Sequence, residues 1–191
     1  MLTDGMNFLP TNERVQKGKE LEDAIANCLT HHYKWTLEEA SFHDDTKKKI
    51  DRFIIGKNDK RTPIQIKGRV SGDDILYDRY EPFFKSNGAI DERTKPGRDH
   101  VGKYEVYVCL SRDKKTIRAV TTEALRRVIK GMDEEWAACD YKLHFYSATY
   151  PGCEFRYHRD KYSGTPKVLA FLNVDIFESG KEITFYEMKW N

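Results

Sequence analysis

Apolar residues recur along the first third of the chain with two different periods, and the change of period locates the elements. From Arg14 to about Tyr33 the period is helical. Leu21, Ile25, Cys28 and Leu29 fall at i, i+4, i+7 and i+8, and charged residues fill the opposite face. Residues 1–13 precede this helix as an N-terminal arm. Residues 34–49 carry no apolar period, and His43-Asp44-Asp45-Thr46-Lys47-Lys48-Lys49 reads as a polar turn. From Ile50 the period shortens to two. Ile50–Gly56 predicts a strand, Lys57-Asn58-Asp59-Lys60 a turn, and Thr62–Val70 a second strand. In that second strand Ile64 and Ile66 share one face, and Gln65, Lys67 and Arg69 the other.

Further along, Asp73–Tyr80 fits a short strand or a turn. Asn87-Gly88 and Lys95-Pro96-Gly97-Arg98 interrupt any regular element, so residues 71–100 read as a long excursion. Tyr104–Leu110 and Thr116–Val120 predict strands. Thr121 or Thr122 caps a helix that runs to about Lys130, with Leu125, Val128 and Ile129 inward and Gly131 as its stop. Leu143–Thr149, Glu154–His158, Val168–Phe177 and Glu182–Met188 then predict short aromatic strands, with Pro151-Gly152, Ser163-Gly164 and Ser179-Gly180 in the turns. The order predicts an α/β or α+β fold: a mixed central sheet flanked by helices over 14–130, and a strand-rich C-terminal extension over 131–191 packed on the same domain.

Composition narrows the class. A length of 191 residues favours one domain, and 39% hydrophobic residues are enough for a core. The charged fraction is 34%, yet the net charge is only +2, because acids and bases nearly cancel. Such a balance is compatible with a nucleic-acid partner when acids that bind metal offset bases that bind phosphate. No apolar run is long enough to span a bilayer, and the first residues lack the apolar stretch of a signal peptide, which predicts a cytoplasmic protein with no membrane partner. The four cysteines are scattered and read as reduced thiols. Cys139, His144, Cys153 and His158 are zinc-ligand types, but no two cysteines stand as close as zinc sites require, so they read as ordinary thiols and surface histidines.

The chemistry concentrates at Asp51, Gln65 and Lys67. A hairpin over Ile50–Val70 brings one carboxylate, one amide and one amine together. Gln65 and Lys67, two residues apart on a strand, share a face at about 7 Å spacing. Phosphodiesters hydrolyse slowly because water is a weak nucleophile and the transition state is highly anionic. A divalent cation answers both needs and takes oxygen ligands, and a lysine beside it neutralises charge.

This set resembles the PD-(D/E)XK nuclease superfamily. Asp51 matches the aspartate that opens one strand. Gln65-Ile66-Lys67 matches the (D/E)xK tripeptide of the next, in the QxK variant of modification-dependent restriction enzymes and their relatives. Ile50 stands where the family has proline. The segment Gly18-Lys19-Glu20-Leu21-Glu22-Asp23 is similar to the family's helical glutamate signature, with Glu22 at the position and Glu20 as the fallback. The resemblance covers residues 14–130. It implies a restriction-endonuclease-like core and a Mg²⁺-dependent endonuclease acting on DNA, in which Mn²⁺ can substitute. Asp51, Gln65 and Glu22 would hold the metal, and Lys67 would complete the catalytic set.

Lys49, Arg69, Arg98 and Lys103 are candidate nucleic-acid contacts, supported by Lys47, Lys48, Lys95 and His100, and by Arg156, His158, Arg159 and Lys161 in the tail. His43, Asp44 and Asp45 lie close enough in sequence to reach the metal site, although a polar turn accounts for them. Duplex cutting would favour a homodimer. The residues leave the substrate open among duplex, branched, modified or single-stranded DNA and RNA. Two alternatives stand beside the enzyme: a catalytically inactive DNA-binding module of the same fold, favoured by the neutral Gln65, and a protein-interaction domain, favoured by the near-neutral charge.

Overall fold

The apolar stripe at Leu21, Ile25, Cys28 and Leu29 forms a helix, α1 (Thr11–His31), whose Ile25, Ala26, Cys28 and Leu29 are buried. The chain was described with a computed structural model covering residues 11–68, 74–86, 90–91, 94–110, 116–159, 164–179 and 183–187. After α1 come a short strand β1 (Leu37–Glu39), one wide helical turn (Asp44–Lys48), β2 (Arg52–Ile55) and β3 (Arg61–Lys67). Asn58 and Asp59 both take positive φ, the conformation that lets a tight turn close β2 onto β3. The segment 34–49, expected to be irregular, thus contains a strand. Leu37–Glu39 is too short to show a period of its own, and it forms because β2 offers an edge to pair with.

The excursion after β3 is more ordered than its breakers suggested. It contains β4 (Ile75–Glu81), β5 (Lys95–Pro96) and the single-turn helix α2 (Arg98–Val101). Next come β6 (Val106–Leu110), β7 (Thr116–Thr121) and α3 (Thr122–Ala138), whose first turn is capped by the Thr121 hydroxyl accepting from Ala124 N–H at 3.3 Å. The chain closes with β8 (His144–Tyr146), β9 (Glu154–Arg159), β10 (Pro166–Leu172), α4 (Asp175–Ser179) and β11 (Ile183–Glu187).

Two sheets result, one mixed and one antiparallel. The first has the order β1-β2-β3-β6-β7-β11, in which only the β3–β6 pair is parallel. The second has the order β5-β4-β10-β9-β8 and is antiparallel throughout. One face of the first sheet packs Ile64, Ile66, Val108 and Ile117 against α1. The opposite face gives Tyr107, Cys109 and Val120 to a larger core that also takes Leu125, Met132 and Trp136 of α3 and Tyr77, Phe155 and Ala170 of the second sheet. Side chains of β3 that alternate away from α1, Gln65 and Lys67, therefore point toward the space between the sheets.

Two boundaries differ from the expectation. Helix α3 does not stop at Gly131 but continues to Ala138. A Cβ at 131 would lie 2.6 Å from the Tyr150 hydroxyl, so the glycine is a seat for that ring, and Met132 and Trp136 extend the buried stripe past it. Glycine lowers helix propensity by about 1 kcal/mol, which packing of this kind offsets. The run Val168–Phe177 is not one strand. Asn173 Oδ1 accepts from Asp175 N–H at 3.1 Å, which ends β10 and starts α4.

Gly97 joins α2 to β4. Its N–H donates to Arg79 O at 2.7 Å, and a Cβ there would run into the Asp78 carbonyl oxygen and lie 2.5 Å from Asp78 Oδ1. Backbone atoms cannot yield as a side-chain tip can. Gly97→Ala is expected to cost about 2 kcal/mol, the typical penalty of overpacking, and to lower the melting midpoint by roughly 4–8 °C. A thermal scan monitored by far-UV circular dichroism reads it; an unchanged midpoint would contradict this account of the α2–β4 junction.

Candidate active site

Asp51 stands immediately before β2. Its N–H donates to Ile64 O at 2.9 Å, and with Arg52 paired to Ile64 it falls opposite Gln65 on β3. Directly opposite residues of an antiparallel pair share a face. Gln65 Nε2 donates to Asp51 Oδ2 at 2.7 Å, and the backbone N–H of Ile66 donates to the same oxygen at 2.6 Å. The orientation of the Gln65 amide follows from charge, because only its NH₂ end can face a carboxylate. None of the described hydrogen bonds reaches Asp51 Oδ1.

A cleft of about 430 Å³ opens over this point, lined by Glu22, Asp45, Asp51, Lys67 and Arg98 among others. Three of the four expected catalytic residues, Glu22, Asp51 and Lys67, meet there. Gln65 does not line it. The glutamine is fully buried, and its Oε1 has no hydrogen-bond partner among the described residues. In this structure the Gln65 amide clamps Asp51, because the strand register puts it opposite the carboxylate. Glu20, the fallback on α1, accepts from Gln16 at 3.1 Å and is exposed, which leaves Glu22 as the helix's contribution.

The acids of the cleft divide into paired and unpaired. Arg52 holds Asp23 and Glu39 at 2.5 Å each, and Asp45 lies 3.9 Å from Arg98. Asp44 is turned into its own helical turn, accepting from Ser41 at 2.7 Å and Lys48 at 2.6 Å. Among the described residues neither Glu22 nor Asp51 has an ion-pair partner. Burial, then the neighbouring Asp51 carboxylate, push Glu22 up to about 7, with Lys67 and Arg98 acting the other way. Burial also raises Asp51 above the usual carboxylate range against the pull of Lys67 and the Ile66 N–H. Two unpaired carboxylates forced together are a donor set that a hard divalent cation fits, since magnesium takes one or two carboxylates and fills its remaining positions with water and phosphate. Among the described residues no group of three or more His, Cys, Asp or Glu side chains is arranged for a metal.

The expected nucleic-acid contacts are distributed unevenly. Arg98 lies on the cleft wall. Lys49 is half-buried, donates to Thr46 O, and is lowered by burial and by Arg98 nearby. Lys103 is exposed and tied through its N–H to Lys48 O at 2.7 Å, beside that turn. Arg69 lies outside the described residues, as does Lys161. In the tail, Arg156 is already engaged by Glu154 and by the Phe171 ring at 4.6 Å. One residue was missed: Asp99 of α2, only 4% exposed, whose Oδ1 lies 3.8 Å from Lys67 Nζ. The breaker run Lys95-Pro96-Gly97 hid it, because a residue after a turn signal gives no sign of burial.

No protein-family model matches the chain, and no curated protein or solved structure matches it. The chain's chemistry is therefore read from this geometry.

Glu22 gives a pH signature. A carboxyl raised from 4.5 to about 7 favours the folded chain below 4.5, and the advantage disappears as the pH rises through 7. In chelator, Glu22→Gln should be more stable than the wild type at pH 8 by about 1–2 kcal/mol, a figure discounted for partial exposure, and equal to it at pH 4. Urea unfolding at both pH values measures this. An equal difference at the two would mean that Glu22 is neither desolvated in the cleft wall nor raised by Asp51.

Proposed function

We propose that the protein is a metal-dependent endonuclease that hydrolyses phosphodiester bonds of DNA, built on a restriction-endonuclease-like core. The core reading is supported by the order of elements: α1, the antiparallel meander β1-β2-β3, then β6 parallel to β3. The observation that carries the function is the unpaired Asp51–Glu22 couple, with Asp51 clamped by two donors and Lys67 lining the same cleft.

Asp51 and Glu22 would hold Mg²⁺, or Mn²⁺ in its place. The chemistry such a cation supplies is acidification of the attacking water and neutralisation of charge on the phosphate. Each remaining task falls to a residue of the chain. Gln65 and the Ile66 N–H fix the Asp51 carboxylate through Oδ2, which would leave Oδ1 for the cation. Lys67 sets a positive charge beside the phosphate oxygens, where charge grows in the transition state. Arg98 holds a phosphate at the cleft rim, with Lys49 and Lys103 on the neighbouring segments for the flanking backbone.

The neutral Gln65 favours one other reading, a DNA-binding module of the same fold without cleavage, since an amide adds no negative charge to the site. A plasmid assay separates the two. With magnesium or manganese the wild-type protein should nick plasmid DNA, and Asp51→Ala or Lys67→Ala should lower the rate by about 100-fold or more while the circular dichroism spectrum is retained. Wild-type rates from folded Asp51→Ala protein would reject the assignment. A salt-dependent gel shift in chelator without any nicking would favour the non-catalytic module.

A further inference from the structure

Lys67 stands on the wall between two clefts. On one side it faces Asp51 and Glu22. On the other it lines a smaller cleft of about 230 Å³ between the two sheets, together with Asp78, Asp99 and Lys167. No hydrogen bond is made by its ammonium among the described residues, and its nearest ion contact is Asp99 Oδ1 at 3.8 Å. A lysine on a flexible four-carbon stem that faces two unpaired carboxylates should fall onto them. Asp99 is placed to prevent that.

Three features hold Asp99 in place. Gly97 lets α2 lie directly on β4. Asp78 N–H donates to Asp99 Oδ2 at 2.9 Å. The Tyr104 hydroxyl donates to the Asp99 carbonyl at 2.7 Å. These contacts fix Oδ2 and leave Oδ1 turned toward Lys67. Asp74 and Asp78 also line this cleft; Asp78 is paired through Oδ2 with Lys167 at 2.8 Å, and Asp99 is the carboxylate in ion contact with Lys67. Burying a carboxylate costs several kcal/mol unless a cation and hydrogen bonds compensate it. This one is buried where the free ammonium of the site can reach it.

We propose that Asp99 is a positioning residue for Lys67: it draws the ammonium off the Asp51–Glu22 couple and so leaves that couple open to a divalent cation. The proposal rests on the reading of Asp51 and Glu22 as a cation site. At 3.8 Å the contact is an ion pair without a hydrogen bond, so the ammonium keeps its donors for a phosphate. Without Asp99 the lysine would pair with the two acids, and an incoming cation would have to displace it.

The test is Mn²⁺ affinity of the full chain without DNA, read from the electron paramagnetic resonance signal of free Mn²⁺. The wild-type protein should bind Mn²⁺, and Asp51→Ala should remove the site. Asp99→Asn should weaken binding by about 5- to 10-fold. In a Lys67→Ala background the same substitution should change it by less than about 2-fold, because the competing ammonium is gone. Equal losses in both backgrounds would mean that Asp99 acts through its own charge, and no loss in either would mean that it does not act; both overturn the proposal. Absence of wild-type binding, or binding unaffected by Asp51→Ala, overturns the cation site itself and the role of Asp99 with it. Thermal scans check that the variants fold. If Asp99→Asn does not, Asp99→Ser, whose hydroxyl still accepts from Asp78 N–H, takes its place in both backgrounds with the same outcomes.

Discussion

Asp51 Oδ2 takes hydrogen bonds from two consecutive residues of the neighbouring strand, Gln65 Nε2 at 2.7 Å and Ile66 N–H at 2.6 Å, and this fork fixes the geometry of everything around it. A half-buried carboxylate needs donors to compensate lost water, and hydrogen bonds to a charged group are worth about twice a neutral one. The fork also ties register to chemistry. A slip of β3 by one residue would turn Gln65 toward α1 and send Ile64 and Ile66 into the polar cleft, so the packing that buries the isoleucines is what aims the amide.

Beyond the fork, the cleft is organised by which charges are matched. Arg52 takes Asp23 and Glu39, Asp45 faces Arg98, and Lys167 takes Asp78. What is left is a short series across the junction of the sheets: Glu22, Asp51, Lys67, Asp99. Each member comes from a different part of the chain, namely α1, the start of β2, the end of β3 and α2. The second sheet contributes to this series without supplying a member. Asp78 on β4 donates its N–H to Asp99 Oδ2, and Tyr104, two residues before β6, donates its hydroxyl to the Asp99 carbonyl. The strands of the C-terminal third matter because β10 pairs with β4 and holds that donor in place.

Legibility of the sequence followed the range of the interactions. The α1 stripe and the β2–β3 hairpin rest on residues within a few positions of one another, so Leu21, Ile25, Leu29, Ile64 and Ile66 announced them. The wide separation between Asp51 and Gln65 in sequence was bridged by a turn, Lys57-Asn58-Asp59-Lys60, whose chemistry is local too. What could not be read is what depends on partners far away. Leu37–Glu39 becomes a strand through β2, Gly131 is a seat for Tyr150 rather than a helix stop, and Asp99 is buried where β4 meets α2. The face of Gln65 was legible but its burial and its hydrogen bond to Asp51 were not, because face is set by alternation whereas depth is set by neighbouring strands.

The glutamine at 65 changes how such a site is held together. A carboxylate there, within hydrogen-bonding distance of Asp51 Oδ2, would repel it and would need a proton or a cation between the two. The amide replaces repulsion with a donor, so the fork closes without any ion. Two costs follow. The Gln65 carbonyl oxygen is buried with no partner among the described residues, a burden of about 1–3 kcal/mol for a polar group of this kind. The cleft also has one acid fewer than a carboxylate at 65 would give it, which leaves Glu22 beside Asp51, its carboxyl raised first by burial and then by the Asp51 charge. With only two acids available, an ammonium that paired with them would close the site. A carboxylate on the far side of Lys67 is therefore worth more in this chain than it would be beside a fuller set of acids, and Asp99 occupies that position.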